Sequence, residues 1–413
     1  MKKLFQKKIF TLYFILTIAF GLFFIALSSY LGFLGDDNFL SSIHRYLKVI
    51  VSILIILLYA SNKSLRKLHI NFYSILLLII YIYYIFIVYD DLYNTPLPMV
   101  LFSEIEKKGI MDRMLFFVLI PMLASVCYWH YKLNHLKLLK YLFYVMTVSL
   151  ILCFLTIGIG VGQVINEQMK IEGELNSLNI AYFSGLLMVI TLYLSSKIYG
   201  FKKNMFFIIG TTISIYGILI AGSRGPLFFT ILTCLIYLGF GNYSKRFKFL
   251  LYVSVIFLVL LFKFDYTYYT DLISIYAPHF ADRLVDTIEN NDISGREDFY
   301  ARGLFQFSKN IYFGDYFAIT SGSYAGSYPH NILIESLMTI GLFGSIPLFG
   351  LFFICFKRAF KIIKQNKIHS WIALIFIYYF LKGLSSWNLY GSDLLWISMF
   401  ILLSIPKAKL NYR

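Results

Sequence analysis

Charged residues are scarce in this chain. Only 14% of its 413 residues are Asp, Glu, Lys or Arg, whereas a soluble domain averages about 25%. Hydrophobic residues make up 59% of the chain, and the mean hydropathy is +0.73. This composition excludes an ordinary soluble domain and indicates an integral membrane protein.

Cysteine is also rare, with four residues in the whole chain. Each cysteine lies within an apolar run, and no two have the spacing of a zinc or redox motif. We interpret them as small residues that pack between helices, and we predict no metal site from them. They are Cys127, Cys153, Cys234 and Cys355.

The net charge of +16 does not indicate a nucleic-acid partner. The basic residues are scattered over short segments between apolar runs and form no contiguous stripe. Such a distribution is typical of the loops that orient a membrane protein in the bilayer. We therefore expect membrane lipids, and no nucleic acid, around this chain.

About twelve apolar runs have the length and composition of membrane spans, which need ~20 residues each. The first run is longer than the ~7–15-residue core of a signal peptide, and no small-residue cleavage site follows it. We therefore interpret it as an uncleaved span. The predicted spans are 10–31, 43–60, 70–89, 114–130, 141–162, 178–196, 205–221, 226–241, 249–264, 330–356, 371–386 and 394–405.

The segments between these runs alternate in charge. One set contains no acidic residue and holds roughly 24 of the 37 Lys and Arg residues, so the positive-inside rule assigns it and both termini to the cytoplasm. The other set holds nearly all 21 acidic residues and is predicted to be extracytoplasmic. The sequence thus predicts one all-α polytopic membrane domain, 1–413, with a large, partly helical extracytoplasmic loop, 265–329, before the tenth span.

Two features interrupt this plain pattern. The turn 221–226 joins two spans in a few residues and holds Arg224 near the membrane surface. The loop 265–329 is far longer than a common connection, and long loops of this kind usually carry function. Within it, Ser294–Lys309 has the pattern of a helix, with Ser294 and Glu297 at capping-box spacing.

Several charged side chains should meet on the extracytoplasmic side. A charge at the rim of a helical bundle costs several kcal/mol, so it is retained where it has a partner or a function. Arginine suits a phosphate or diphosphate, and histidine exchanges a proton near neutral pH. Together they suit a reaction on a lipid-linked phosphate. The candidates are His330 as the base, Arg224, Arg296, Arg283 and Arg302 as diphosphate ligands, and Glu335 and Lys382 as supporting residues.

The arginines also have structural interpretations. Arg224 would reach lipid headgroups from a span end. Arg283 and Arg302 would pair with acidic residues of the same loop, such as Asp286 or Glu297. The sequence leaves both interpretations open.

The same holds for the other candidates. His330 would be a polar residue at the start of a helix. Glu335 would bond a neighbouring helix, or it would orient His330 or an arginine. Lys382 would pair with Asp393 instead of holding phosphate.

Four short segments resemble the O-antigen polymerase and ligase superfamily. The first is Ala-Gly-Ser-Arg-Gly-Pro-Leu at 221–227, and the second is Ser-Gly-Arg at 294–296. The third, Tyr-Pro-His-Asn-Ile-Leu-Ile-Glu at 328–335, is followed by Gly-Leu-Phe-Gly at 341–344. A further segment, Leu-Asn-Ser-Leu-Asn at 175–179, is similar to another element of that family, with Ser177 where many members carry proline. The order of the segments and the large loop before the histidine also match.

This resemblance implies a metal-independent, inverting glycosyltransferase of the bacterial cytoplasmic membrane, without a cofactor. The implied donor is an oligosaccharide on undecaprenyl diphosphate, polymerised into O-antigen or capsular polysaccharide. It implies His330 as the base and Arg224 and Arg296 as diphosphate ligands. A chain-length regulator and a flippase are candidate protein partners.

Three other functions stay open at this point. A ligase of the same superfamily would transfer the finished glycan to lipid A core, and no residue separates it from a polymerase. A flippase or polysaccharide transporter would show internal repeats with charges near the membrane midplane, and the sequence shows no such symmetry. A structural protein would not need arginine and histidine to converge.

Overall fold

The computed structural model describes most of the chain, and the regular structure of that part is helical. The described ranges are 2–31, 39–61, 70–95, 101–130, 133–159, 177–241, 296–365 and 368–406, with single residues between 249 and 285. Arg283, Ser294 and the predicted span 249–264, apart from Phe249, lie outside them. So do residues 175 and 176 of the family-like segment.

Every predicted span within the described residues coincides with a helix or a broken helix. Apolar side chains and few helix breakers within each run favour this outcome. The α-helices are α1 Lys2–Ile18, α2 Phe20–Tyr30, α3 Phe39–Ala60, α4 Phe72–Tyr93, α5 Glu104–Asp112, α6 Ile120–Ser125, α7 His135–Ile159, α8 Ser177–Ser195, α9 Phe201–Ile220, α10 Arg224–Phe240, α11 Glu297–Lys309, α12 Ile332–Lys364, α13 Ser370–Gly383 and α14 Asp393–Leu403.

The described helices give the chain the architecture of a multi-pass membrane protein. Seven are long and apolar enough to cross a bilayer, and α1 with α2, bent by 61°, makes an eighth if the pair is one span. The helices α10, α13 and α14 are apolar but shorter. Large apolar side chains also face outward, among them Phe86 (64% exposed) and Phe353 (71% exposed). Such a surface is suited to lipid.

The fourth predicted span departs from a regular helix. It begins at Glu104, earlier than the predicted residue 114, and passes from α5 through a π-helix, Arg113–Leu119, into α6. Pro121 lies at the start of α6. Proline has no N–H to donate and its ring crowds the carbonyl four residues earlier, which accounts for the wider turn.

Contacts between residues far apart in the chain mark the two ends of the helical bundle. At one end, here called the His330 end, Lys48 bonds Asp393 at 2.9 Å, and the Asp91 carboxylate accepts from the Phe317 N–H at 2.8 Å. At the opposite end Trp129 donates to the Ile401 carbonyl. Further bonds at the opposite end join Tyr128 to His369, Tyr193 to Ile368 and Arg358 to Leu403.

Small residues let the helices around α8 approach closely. A side chain on Gly185 would clash with Thr230 of α10 and Tyr378 of α13, and one on Gly217 of α9 would clash with Ser184 of α8. In a bilayer, where burial of apolar surface does not drive helices together, this close packing stabilises the bundle. The α8 helix is consequently one of the most buried in the described part.

The segment after α11 is seated in a break of α12. Gly341 has φ +57° and ψ −167° within α12, and its Cβ position would clash with the Gly314 amide and the Tyr312 carbonyl. The N–H of Leu342 donates to the Ile311 carbonyl at 2.9 Å, and that of Asp315 donates to Met338 at 2.7 Å. The loop backbone therefore takes the place of the helix hydrogen bonds that the break removes.

Candidate functional site

His330 lies at the turn that enters α12, in an unusual backbone conformation. Its φ of +56° is the one positive value of a non-glycine residue within the described ranges. Such a conformation costs about 1–3 kcal/mol and persists where the surrounding structure fixes it. Strain of this kind is common at functional sites, and here it aims the imidazole between two aromatic rings.

Two aromatic side chains and the following asparagine fix the His330 turn. The His330 ring lies 4.3 Å from the Tyr328 ring and 5.0 Å from the Phe299 ring, measured between centroids. Asn331 caps α12, because its side-chain oxygen accepts from the Leu333 N–H at 2.9 Å. Its amide group donates to the Leu384 carbonyl at 3.0 Å, which ties the turn to the end of α13.

The His330 imidazole is held neutral. Burial and, to a lesser degree, the charge of Arg296 lower its pKa from 6.5 to about 4. Among the described residues the ring makes aromatic contacts but no hydrogen bond. A neutral imidazole with an unoccupied ring nitrogen can accept a proton from a ligand.

Arg296 stands immediately before α11 and reaches across to the end of α13. Its guanidinium donates to the Ser385 carbonyl, which leaves its other N–H groups for a ligand. Ion pairs of the described residues include Lys48 with Asp393, but none involves Arg296. The predicted helix is confirmed over Glu297–Lys309, beginning three residues later than expected.

Lys382 is the most deeply buried cation near Arg296. It is 5% exposed, and its ammonium lies 3.3 Å from the centre of the Trp387 ring and 4.7 Å from that of Tyr182. The alternative pairing with Asp393 is not formed within 4.0 Å in the described structure, where Asp393 bonds Lys48 instead. Aromatic faces therefore stabilise this charge in place of a carboxylate.

Arg224 lies beside the same group at the first residue of α10. The tight turn is confirmed: α9 ends at Ile220 and α10 begins at Arg224, with Gly222 at φ +61° between them. A Cβ built on the adjacent Gly225 would lie 3.6 Å from the Tyr182 hydroxyl and 3.8 Å from Ser385. The start of α10 thus lies against the residues that Arg296 and Lys382 contact, and helix starts favour anions.

Glu335 bonds neighbouring elements. It is completely buried, and its carboxylate accepts from the Tyr84 hydroxyl at 2.8 Å and from the Leu389 N–H at 2.9 Å. It therefore joins α12 to α4 and to the turn between α13 and α14. Of the alternatives for Glu335, the bond to a neighbouring helix is the one present in the described structure.

Arg302 contacts the loop that follows α11. Its guanidinium donates to the Ser321 carbonyl at 3.1 Å, packs on Gly322 and lies 5.7 Å from the Tyr324 ring centre. The Tyr324 ring in turn packs 4.0 Å from Phe299, one of the two rings beside His330. The described structure gives Arg302 no ion pair with Glu297 and makes it part of the support behind the histidine.

The described structure thus brings His330, Arg296 and Lys382 to the same end of the bundle, with Arg224 adjacent. Sequence reasoning missed Tyr182 and Trp387, which surround Lys382. Their positions in the sequence do not indicate that they lie together, because Tyr182 belongs to α8 and Trp387 to the turn after α13. Tyr328 could have been found from the sequence, because it lies in the family-like segment two residues before His330.

No protein-family model matches this chain, and no curated protein matches it significantly. The resemblance to the O-antigen polymerase and ligase superfamily therefore rests on the short segments around Arg224, Arg296 and His330.

Proposed function

We propose that this protein is a membrane glycosyltransferase that polymerises oligosaccharide repeat units carried on undecaprenyl diphosphate. The observation that supports it best is the neutral His330 at the same end of the bundle as Arg296 and Lys382, neither of which forms an ion pair with another described residue. Cations of this kind suit a diphosphate, and a neutral imidazole suits a hydroxyl.

In the proposed topology the chain crosses the bacterial cytoplasmic membrane about twelve times, and both termini are cytoplasmic. The charge pattern supports this, and two described basic residues of these segments, Arg358 and Lys197, contact Leu403 and Tyr193 at the end opposite His330. The His330 end then faces outward, where lipid-linked repeat units are polymerised.

The proposed reaction is a single displacement at the anomeric carbon of the donor glycan. The acceptor hydroxyl oxygen forms the new bond to that carbon while the bond to the diphosphate oxygen breaks and its electron pair leaves with the diphosphate. His330 takes the hydroxyl proton. Arg296, Arg224 and Lys382 stabilise the charge that grows on the diphosphate.

The electrostatics of His330 suit this sequence of events. The Arg296 charge opposes protonation of the imidazole. A bound diphosphate would neutralise that charge, so the imidazole becomes a stronger base once the donor is present. The Ser385 carbonyl that accepts from Arg296 fixes the orientation of the guanidinium.

A deletion strain complemented with the wild-type protein tests this function on a gel of surface polysaccharide. A polymerase restores a ladder where the deletion leaves single repeats. A ligase would instead restore attachment of a polymer that already formed on the lipid carrier. A transporter would restore surface glycan even when His330 or Arg224 is changed to alanine at equal protein level, and that result would contradict the proposal.

The acidic limb of the pH profile should report the His330 pKa. The base must be neutral, so kcat/KM of the wild-type enzyme should stay level from pH 8 to about 5 and fall as the pH drops through about 4. In Arg296→Gln one of the two causes of the lowered pKa is gone, so the limb should move to higher pH. Lys309→Gln, an exposed change at the end of α11, is the control. An unmoved limb in Arg296→Gln would contradict this electrostatic link.

Lys382→Met should separate function from stability. Burying an unpaired ammonium is costly, so the methionine variant should melt at or above the wild-type temperature. Its KM for the lipid-diphosphate donor should rise about tenfold or more, since a charge-assisted contact is lost. Lys48→Met is the matched control. It leaves the carboxylate of Asp393 without its ion-pair partner, so it should lower the melting temperature. Unchanged donor KM in Lys382→Met would exclude Lys382 from the diphosphate site.

A further inference from the structure

A cavity lies at the His330 end of the bundle, outside the arginine and lysine group. It is an open cleft of about 390 Å³, which is within the usual range for small-ligand sites. Its walls come from the start of α3, from α5 with the following π-helix, and from the turn between α13 and α14. No residue of the proposed diphosphate site lines it.

The lining of this cleft combines both charges with aromatic rings. Arg45 and Arg113 supply donors, Glu106 and Asp112 supply acceptors, and Tyr46 contributes an exposed ring. A carboxylate only accepts hydrogen bonds and a guanidinium only donates them, whereas a sugar hydroxyl does both. The formal charges of the four ionic residues cancel, so the cleft suits a neutral polyhydroxylated ligand better than a phosphate.

The backbone of the cleft is also unusual. Arg113 begins the π-helix, and the N–H of Ile120 at its end bonds back to the carbonyl of Leu115. Single π-helical turns occur often at functional sites, where they re-aim side chains. Here the wider turn falls where Arg113 and Phe117 line the cleft.

Two tyrosine rings connect the cleft to the His330 turn. Tyr390, which lines the cleft, packs edge-on against Tyr328 with 6.3 Å between ring centres, and Tyr328 lies 4.3 Å from His330. Burial raises the pKa of Tyr328 to about 12 against the opposing charges of Arg296 and Arg113. Tyr328 is therefore within the electrostatic reach of both sites, with His330 next to it.

We infer that this cleft binds the acceptor glycan and presents its terminal hydroxyl to His330 from the side opposite the diphosphate. The inference rests on the proposed function, which it deepens by assigning the second substrate. The single displacement proposed above needs the attacking hydroxyl and the leaving diphosphate on opposite sides of the anomeric carbon, which two separate sites near one base can provide.

Purified wild-type protein and two cleft variants, Arg113→Gln and Asp112→Asn, test the inference with lipid-linked repeat units from a deletion strain as the donor and the released, lipid-free oligosaccharide as a separate acceptor. The acceptor KM should rise about tenfold in each variant, while the affinity for the donor stays at the wild-type value. Lys108→Gln is the matched control, since Lys108 is exposed on the same helix and does not line the cleft. Arg296→Gln should show the reverse pattern, with weaker donor binding.

The outcomes separate the two proposals. An active enzyme whose acceptor KM is unchanged in both cleft variants overturns the acceptor site and leaves the proposed function standing. If the wild-type protein shows no turnover, the proposed function fails, and the cleft is tested by saturation-transfer NMR with oligosaccharides released from the host's surface polysaccharide. A signal from these oligosaccharides that is lost in Arg113→Gln supports a glycan cleft, and no signal overturns it.

Discussion

His330→Gly should abolish glycan transfer while leaving the protein at least as stable as the wild type. The imidazole is the proposed base, and a positioned general base contributes about 10²–10⁴ in rate. Glycine removes it and also relieves the positive φ of +56° at this position, which costs a histidine about 1–3 kcal/mol. Loss of activity without loss of stability distinguishes a chemical role from a structural one.

Added imidazole should restore part of the activity of His330→Gly. The deleted side chain leaves a space between Tyr328 and Phe299 that a free imidazole can occupy. The measurement is turnover of lipid-linked glycan against imidazole concentration, with melting temperature recorded in parallel. His330→Asn is the matched variant, because asparagine tolerates this backbone conformation but supplies no base. Wild-type rates in either variant would contradict the assignment of His330 as the base.

The same residue shows how far the sequence predicts this site. The motif around His330 made this residue a candidate, and the hydropathy pattern predicted the helix that follows it. Neither indicated the positive φ or the aromatic rings beside the imidazole, since these depend on how Pro329 packs against Gly303 of α11 and how Asn331 bonds to the end of α13. The local sequence therefore pointed to His330 but did not predict the surroundings that keep its imidazole neutral.

Lys382 and Glu335 illustrate the opposite limit. Both were singled out because a charge within an apolar helix is costly, and both are buried. Their partners come from elements far away in the chain: Tyr182 beside Lys382, and Tyr84 on Glu335. A single sequence carries no information about such pairs, so the contacts of these two charges could be seen only in the three-dimensional structure.

The spans were predicted more fully than their irregularities. Runs of apolar residues identify helices because every backbone group in a bilayer must be bonded within the segment. The π-helix at Arg113 and the break at Gly341 arise where a proline or an inserted loop changes that bonding. The π-helix borders the cleft, and the break at Gly341 holds the loop that leads to His330. The regular hydropathy pattern therefore does not predict the two irregularities that lie beside the candidate sites.

Gly341→Ala and Gly314→Ala should each unseat the loop from α12 and lower the stability of the protein by about 3 kcal/mol or more. Each glycine has a positive φ, which disfavours alanine, and each Cβ would meet backbone atoms that cannot move aside as a side chain would. The segment 310–329 begins at this contact and leads directly to His330. Loss of the contact between this loop and α12 should therefore also remove activity, because the turn that holds His330 would no longer be fixed.

Gly350→Ala is the matched control, since Gly350 lies on the same helix and a Cβ there would meet nothing within 4 Å. Alanine is also the better helix former, so this variant should melt at or slightly above the wild-type temperature. Thermal melts in detergent and limited proteolysis of 310–329 measure the two effects. Membrane proteins of this size often unfold irreversibly, so the variants are compared at one scan rate. If Gly341→Ala melted like Gly350→Ala and kept its loop protected from protease, the loop would not depend on this close backbone contact, and the support proposed for His330 would have to come from the aromatic rings alone.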